Sequence, residues 1–562
     1  MKNADRQNAS KPSETNESSA IGAESTPKNG LFILVDALRA DVLTDPTARR
    51  VLMPTLARLA DNGFVRNVVA NAQGTQFVMP ALHSLTYPLD HGGYNNGIRQ
   101  RPKSLAEAMR DSGMETFMLV TAGQLGVTMG YDRGYNTVHA VTDYRGMISD
   151  RIKHNLKYHL DLWQKGERTE AETIEIVGRE FGLLLERLGE MIKHQNKRLW
   201  PRAIHRINDR VARGIADEIR LLSDAPTAIL RKLIWVPGSV YWRFLGVGEV
   251  RPISRFFWAG IAALKTHSRI YIAKHPRLPF FLLSHFPAIF SDVVHGLEDM
   301  VVEMKGRRWF AYVHLMDVHD CRALNRPIHV VGRLRYLPRW LYARARGLTK
   351  RRWVYDTAAM YLDAKLERVV KALEGTDQLK DTVILVTGDH GDTYAESPRE
   401  KQAVASRTHY EHIEVPMLLS GAGRTATDDG MIDSMGMSAT LLDALGVSPD
   451  PSFKGISAFE GGRPAVVSES CGSGNADISR RDIFFTVTSA THRMMATLVG
   501  TELRATQLYD RRRDPREIED LIADPAQRAV ISTLIDAIHI ERRDLMDLRG
   551  VARPQVAAAT ST

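Results

Sequence analysis

The sequence predicts an α/β fold: a mostly parallel central sheet flanked by helices, with a large helical basic insertion and a small C-terminal α+β subdomain. Three observations carry this. Apolar runs of buried-strand type alternate with amphipathic helical segments, as in sheets covered on both faces. Three of those runs end in acids or histidines. A long basic stretch of helical pattern interrupts the alternation near residues 145–307.

"LFILVDALRADVL" opens the pattern as a buried strand ending in a polar turn at Asp36. "MPTLARLADNG" follows as a short helix, and "FVRNVVANA" as a second strand. That strand leads into "GTQFVMPALHSLTYP", residues 74–88, a loop that runs into a helix. "SLAEAMRDSG" has the S-x-x-E capping-box spacing at Ser104 and Glu107, with Gly113 to close the helix. "ETFMLVT" is the next strand. After the insertion, with Pro/Gly breaks at Pro237–Gly238 and from Pro276 to Pro279, "RWFAYVHLMDVHD" resumes the sheet. "YDTAAMYLDAKLERVVKALEG" places Leu362, Leu366, Val369, Val370 and Leu373 on one helical face. "DTVILVTGDHGD" and "EVPMLLSG" are strands, and "DSMGMSATLLDALG" is a helix. This reading divides the chain into a polar tail (1–30), an α/β domain (31–460), an α+β subdomain (461–550) and a second tail (551–562).

A length of 562 residues fits one large domain with additions. Two cysteines, Cys321 and Cys471, exclude a disulfide framework and a CxxC metal site. The first 30 residues lack an apolar signal core, and no run approaches the roughly 18 apolar residues of a spanning helix. The expected location is therefore cytoplasmic, with association at a membrane surface as an added expectation. The net charge of +9 is uneven, since residues 191–277 hold 17 Lys/Arg against 5 Asp/Glu. Residues 331–352 hold 8 basic residues and no acid. Aromatics interleave with both, including Trp235, Phe256, Phe257 and Trp258 in the first and Trp340 in the second. Such segments suit an anionic membrane surface, and nucleic acid is the less expected partner. The absence of Walker and Rossmann glycine motifs argues against nucleotide hydrolysis and dehydrogenation.

Asp36, the pair Asp317 and His319, and Asp389 with His390 all stand at strand ends. Ligands in doubly wound sheets bind beyond the carboxyl ends of the strands, so parallel strands bring these groups together. Carboxylates with imidazole suit a divalent cation, with Ca, Mn and Zn the expected candidates and Mg also compatible with the donors.

Over most of residues 31–525 these motifs resemble, in order, those of the sulfatase branch of the alkaline phosphatase superfamily, which includes phosphonate monoester hydrolases. "LFILVDALRADVL" resembles the family's first metal-binding strand, and "DTVILVTGDHGD" its "nTlvvxTSDHG" motif. "YVHLMDVHD" is similar to the "hxxxPHxP" loop, and "QLYDRRRDPREIEDL" to the "eLYDLxxDPxExxNL" signature. The resemblance implies an alkaline-phosphatase-like fold, Asp36, Asp389 and His390 as metal ligands, and His319 as a contact to the transferable group. It implies a cationic contact from Lys401 or His409.

The family's nucleophile precedes a motif proline by two residues, which places it on Val78 if that proline is Pro80. Valine has no lone pair for attack. Thr75 is the nearest upstream hydroxyl, and a metal-activated water assisted by His83 is an alternative. The implied activity is a metal-dependent hydrolase or transferase acting on a phosphate, phosphonate or sulfate ester, with an anionic small-molecule, glycan or lipid ester as substrate. The competing expectation is an inactive sulfatase-like protein that binds an anionic ligand, membrane surface or partner.

Overall fold

A computed structural model describes residues 29–121, 129–194, 202–274, 288–319, 341, 345, 350–393, 408–427, 429–472 and 478–552. Its main sheet contains β1 (Asn29–Val35), β2 (Gly63–Val69), β3 (Glu115–Val120), β4 (Thr137–Ala140), β5 (Trp309–Leu315), β6 (Thr382–Gly388), β7 (Glu414–Ser420) and β8 (Ile432–Asp433). The spatial order is β4-β3-β5-β1-β6-β7-β2-β8. Every pairing is parallel except those of β7, which runs antiparallel to both β6 and β2. The predicted mostly parallel sheet is therefore observed, with one reversed strand.

β1, β5 and β6 are buried at all of their residues because helices cover both faces. Leu362, Leu366, Val369, Val370 and Leu373 of the helix Lys350–Gly375 pack into the core on one side. The helices Thr75–Ser84 and Ser434–Ala444 line the core on the other. The capping box at Ser104 is present: Ser104 Oγ accepts from Glu107 N at 3.1 Å, and Ser104 N donates to Glu107 Oε2 at 2.8 Å.

Between β4 and β5 the chain forms successive helices among the described residues, including Glu170–His194, Arg202–Asp224, Pro226–Trp235 and Pro252–Lys274. A buried ionic knot locks them. Lys232 Nζ donates to Glu218 Oε2 (2.6 Å) and to the carbonyls of Phe244 (3.0 Å) and Val247 (2.8 Å). Tyr241 Oη and Gly246 N donate to the remaining Glu218 lone pairs. The helix Phe290–Glu303 then packs against Lys350–Gly375 beside the sheet. A second, antiparallel sheet is formed by β9 (Ala465–Ser470), β10 (Ile483–Ser489), β11 (His492–Val499) and β12 (Glu502–Asp510), in the order β12-β11-β10-β9. The helix Arg528–Glu541 covers it. Among the described residues no helix is long and apolar enough to cross a membrane.

Candidate functional site

β1 and β6 lie side by side, with Val35 opposite Gly388, so Asp36 and Asp389 leave the sheet at the same level. Both carboxylates are buried. The turn after β1 is held in an unusual conformation: Ala37 has φ +61°, a region a side chain occupies at a cost. Ala37 N donates to Asp389 Oδ1 (3.0 Å), and Tyr355 Oη donates to Ala37 O (3.1 Å) and accepts from Arg39 N (2.9 Å). The long helix under the sheet therefore fixes the turn that aims Asp36. Gly388 is required before Asp389, since a Cβ there would stand 2.5 Å from the Leu38 carbonyl oxygen.

Asp36, Asp389 and His390 converge, with one ligand-capable atom from each within 4.8 Å of the others. His390 Nε2 lies 3.5 Å from Asp36 Oδ1 and 3.6 Å from Asp389 Oδ2. Neither carboxylate oxygen has a hydrogen-bond partner among the described residues, although both are buried. Buried anionic oxygens without donors are costly, and a cation is the usual compensation. Donors around a tetrahedral ion with bonds of about 2.1 Å stand about 3.4 Å apart, close to the spacings here. The residues fit a divalent cation.

The charges respond to this crowding. Burial alone would raise the Asp36 pKa, but the imidazoles of His319, His314 and His390 outweigh it and hold the carboxyl well below its ordinary range. Burial would lower the His390 pKa, yet the Asp389 and Asp36 carboxylates push it up to about 10. In the metal-free protein that proton stands in for a cation.

Thr75 completes the cluster. The crossover from β2 brings the start of the helix Thr75–Ser84 to this edge, through Gly74 at φ +103°. Thr75 Oγ1 donates to Asp36 Oδ2 at 3.0 Å and lies 3.4 Å from His390 Nε2. Val78, where the proline-based register put the nucleophile, is fully buried in the apolar core one turn further on.

The remaining predicted residues divide. His319 faces the cluster, with Nε2 3.8 Å from Asp36 Oδ1 and its side chain 30% exposed. His409 is buried, with its Nδ1 2.8 Å from Glu517 Oε2 and its ring against Tyr509, at the start of the helix Tyr410–Ile413. His83 is packed among Tyr131 and Tyr312, and burial together with the nearby charge of His314 lowers its pKa to about 3. It is a core residue and too weak a base for neutral pH. Lys401 and the basic run 331–352, apart from Leu341, Ala345 and Lys350–Arg352, lie outside the described residues. Asp317 is turned from the cluster to the helix Phe290–Glu303, accepting from Phe290 N at 3.0 and 3.2 Å. One neighbour escaped the sequence reading: His314, on β5, is buried with Nε2 3.7 Å from Asp36 Oδ2. Its alternation with Tyr312 in "YVHL" was the available signal, since both point to the same face of the strand.

Residues 291–447 match the model of the Sulfatase family. The chain is thus similar to the Sulfatase family over this segment. No curated protein matches the sequence. Its fold is shared with the phosphonate monoester hydrolase of Agrobacterium radiobacter, at 15% identity and a TM-score of 0.53, over 92% of this chain and 96% of that one. A candidate sulfatase from Bacteroides fragilis aligns at 12% identity and a TM-score of 0.55, over 94% and 99%. The phosphonate monoester hydrolase of Silicibacter pomeroyi aligns at 17% identity and a TM-score of 0.50, over 92% and 96%. The family match covers β5 to β8, and hence Asp389 and His390, while Asp36 and Thr75 lie upstream of it.

Proposed function

We propose that this sulfatase-like protein is a metal-dependent hydrolase or transferase of phosphate, phosphonate or sulfate esters, with Thr75 as its nucleophile. One observation carries the reading: the Thr75 hydroxyl stands 3.0 Å from Asp36 Oδ2 at a cluster of unsatisfied metal-type donors. Asp36, Asp389 and His390 would hold a divalent ion. Two carboxylates with one imidazole favour Zn or Mn over Ca, which prefers a larger, all-oxygen shell. The ion when bound supplies Lewis acidity towards the hydroxyl and the oxygens of the transferable group.

The chain's own residues supply the rest. Thr75 Oγ1 would attack the phosphorus or sulfur as its proton leaves to solvent, with Asp36 Oδ2 holding the hydroxyl in place through the 3.0 Å hydrogen bond. A bond forms from Oγ1 to the central atom, and the ester bond to the leaving oxygen breaks. His319, partly exposed beside Asp36, would protonate the leaving alkoxide to the alcohol. The start of a ten-residue helix at Thr75 presents its positive dipole end to the anionic group. Water or an acceptor alcohol then displaces Thr75. The names of the Agrobacterium and Silicibacter proteins favour phosphonate monoesters among the substrates.

The test compares turnover of aryl phosphonate, phosphate and sulfate esters by the Zn- and Mn-loaded wild type, Thr75→Ala and Thr75→Ser. The proposal expects activity that falls at least about 10³-fold in Thr75→Ala, with part of it retained in Thr75→Ser. Undiminished turnover by Thr75→Ala would overturn the nucleophile assignment.

A further inference from the structure

The helix Pro252–Lys274 lies over the insertion with its inner side fixed by Trp258. Arg243 is sandwiched against that ring, at 3.7 Å, and against Trp242, at 4.4 Å, and Trp258 and Ala262 pack on the core. Its outer side carries Ile253, Phe256, Phe257, Ile261 and Leu264, at the i, i+3, i+4, i+8, i+11 spacing of a single helical stripe. These side chains are exposed, from 41% at Ile261 to 85% at Ile253, with Phe256 at 66% and Leu264 at 72%. Trp235, 61% exposed, extends the patch; its carbonyl accepts from Arg255, whose guanidinium also stands over the Phe256 ring.

Singly exposed apolar residues are ordinary, but an unbroken stripe of two phenylalanines, two isoleucines and a leucine is not. The residues around it identify the partner. From Pro252 to Lys274 the sequence has four Lys/Arg and no Asp/Glu, inside a region with a local excess of 12 positive charges. We propose that this stripe docks the protein onto an anionic lipid bilayer, the helix lying in the interface with its apolar face among the acyl chains. The helix is amphipathic and not apolar enough to span, which is the pattern of an interfacial helix. A stripe on a convex helix needs no groove in its partner. A second copy of the chain would bring the same positive field against itself, whereas an anionic surface complements it. The inference is independent of the hydrolase reading, since none of these residues belongs to the Thr75 site.

The experiment is co-sedimentation of the intact protein with vesicles of phosphatidylcholine alone and of an equimolar mixture with phosphatidylglycerol. Wild type and the triple variant Phe256→Ser, Phe257→Ser, Leu264→Ser are compared at low and high salt, with light scattering of both in solution. The proposal expects binding to the mixed vesicles, weaker binding in salt and to phosphatidylcholine alone, and at least tenfold weaker partition for the variant at an unchanged Tm. Retained binding by the variant would overturn it, as would failure of the wild type to bind. A wild-type dimer that the variant dissociates, with no vesicle binding by either, would assign the stripe to self-association instead and equally overturn it.

Discussion

Two buried charge clusters in this molecule are built in opposite ways. Among the helices between β4 and β5, Glu218 and Lys232 satisfy each other, and their spare groups are taken up by Tyr241 Oη, Gly246 N and the carbonyls of Phe244 and Val247. At the edge of the main sheet, Asp36 Oδ1 and Asp389 Oδ2 are as deeply buried and have no hydrogen-bond donor among the described residues. The first arrangement meets the cost of desolvation with internal partners and leaves nothing for a ligand. The second offsets that cost only with the charge of nearby imidazoles and leaves two carboxylate oxygens without a hydrogen bond, with a hydroxyl and three imidazoles gathered round them. Burial of charge is therefore no sign of function by itself; burial with empty lone pairs is.

The comparison can be broken most forcefully at Asp36. Asp36→Asn keeps an acceptor for Thr75 but removes the charge, so turnover of an active ester substrate is expected to fall at least about 10³-fold, while the metal-free protein changes by no more than about 1 kcal/mol. Parallel kinetics and thermal unfolding would check both halves. Lys232→Met should do the reverse. Leaving Glu218 buried without its cation is expected to cost about 3–5 kcal/mol by urea unfolding, with turnover per folded molecule unchanged.

A third buried cluster makes a pH-dependent case. Burial would raise the Glu414 pKa, but Arg493 and Arg511, with a hydrogen bond from Asn67, bring it down to about 2 from an ordinary 4.5. A depressed folded value stabilises above the unfolded pKa and loses that stability as pH falls from about 4.5 to 2. The contribution is about 3 kcal/mol. Glu414→Gln should be less stable at neutral pH and lack that component of the acid-unfolding curve. The smallest expected effect is at Asp317. If it serves only the helix Phe290–Glu303, Asp317→Ala costs about 1–2 kcal/mol of stability and leaves turnover intact.

Much of this was legible in the sequence because the site sits where parallel strands end. The apolar runs before Asp36 and Asp389 announce buried strands, and adjacent strands bring their ends together. Residues off the strand ends were harder to read. A motif proline pointed to Val78, but which hydroxyl or methyl reaches the cluster depends on where the helix begins. Gly74 starts it at Thr75, leaving Val78 on the core side. Asp317 and His314 lie three residues apart in one motif, and only the strand's pleat and the packed helix decide which faces Asp36. His409 needed a partner from far along the chain, since Glu517 lies 108 positions away. The Glu218–Lys232 knot left no sequence signal at all, for both residues occur in a charged helical stretch that looks solvated.

The central claim is that the bare carboxylate oxygens form a cation site. Calorimetric titration of the metal-stripped protein with Zn²⁺ and with Mn²⁺, for wild type, Asp389→Ala and Lys232→Met, tests it directly. The account predicts a single tight site in the wild type and in Lys232→Met that disappears in Asp389→Ala. Equal binding by Asp389→Ala, or no binding by the wild type, would contradict it.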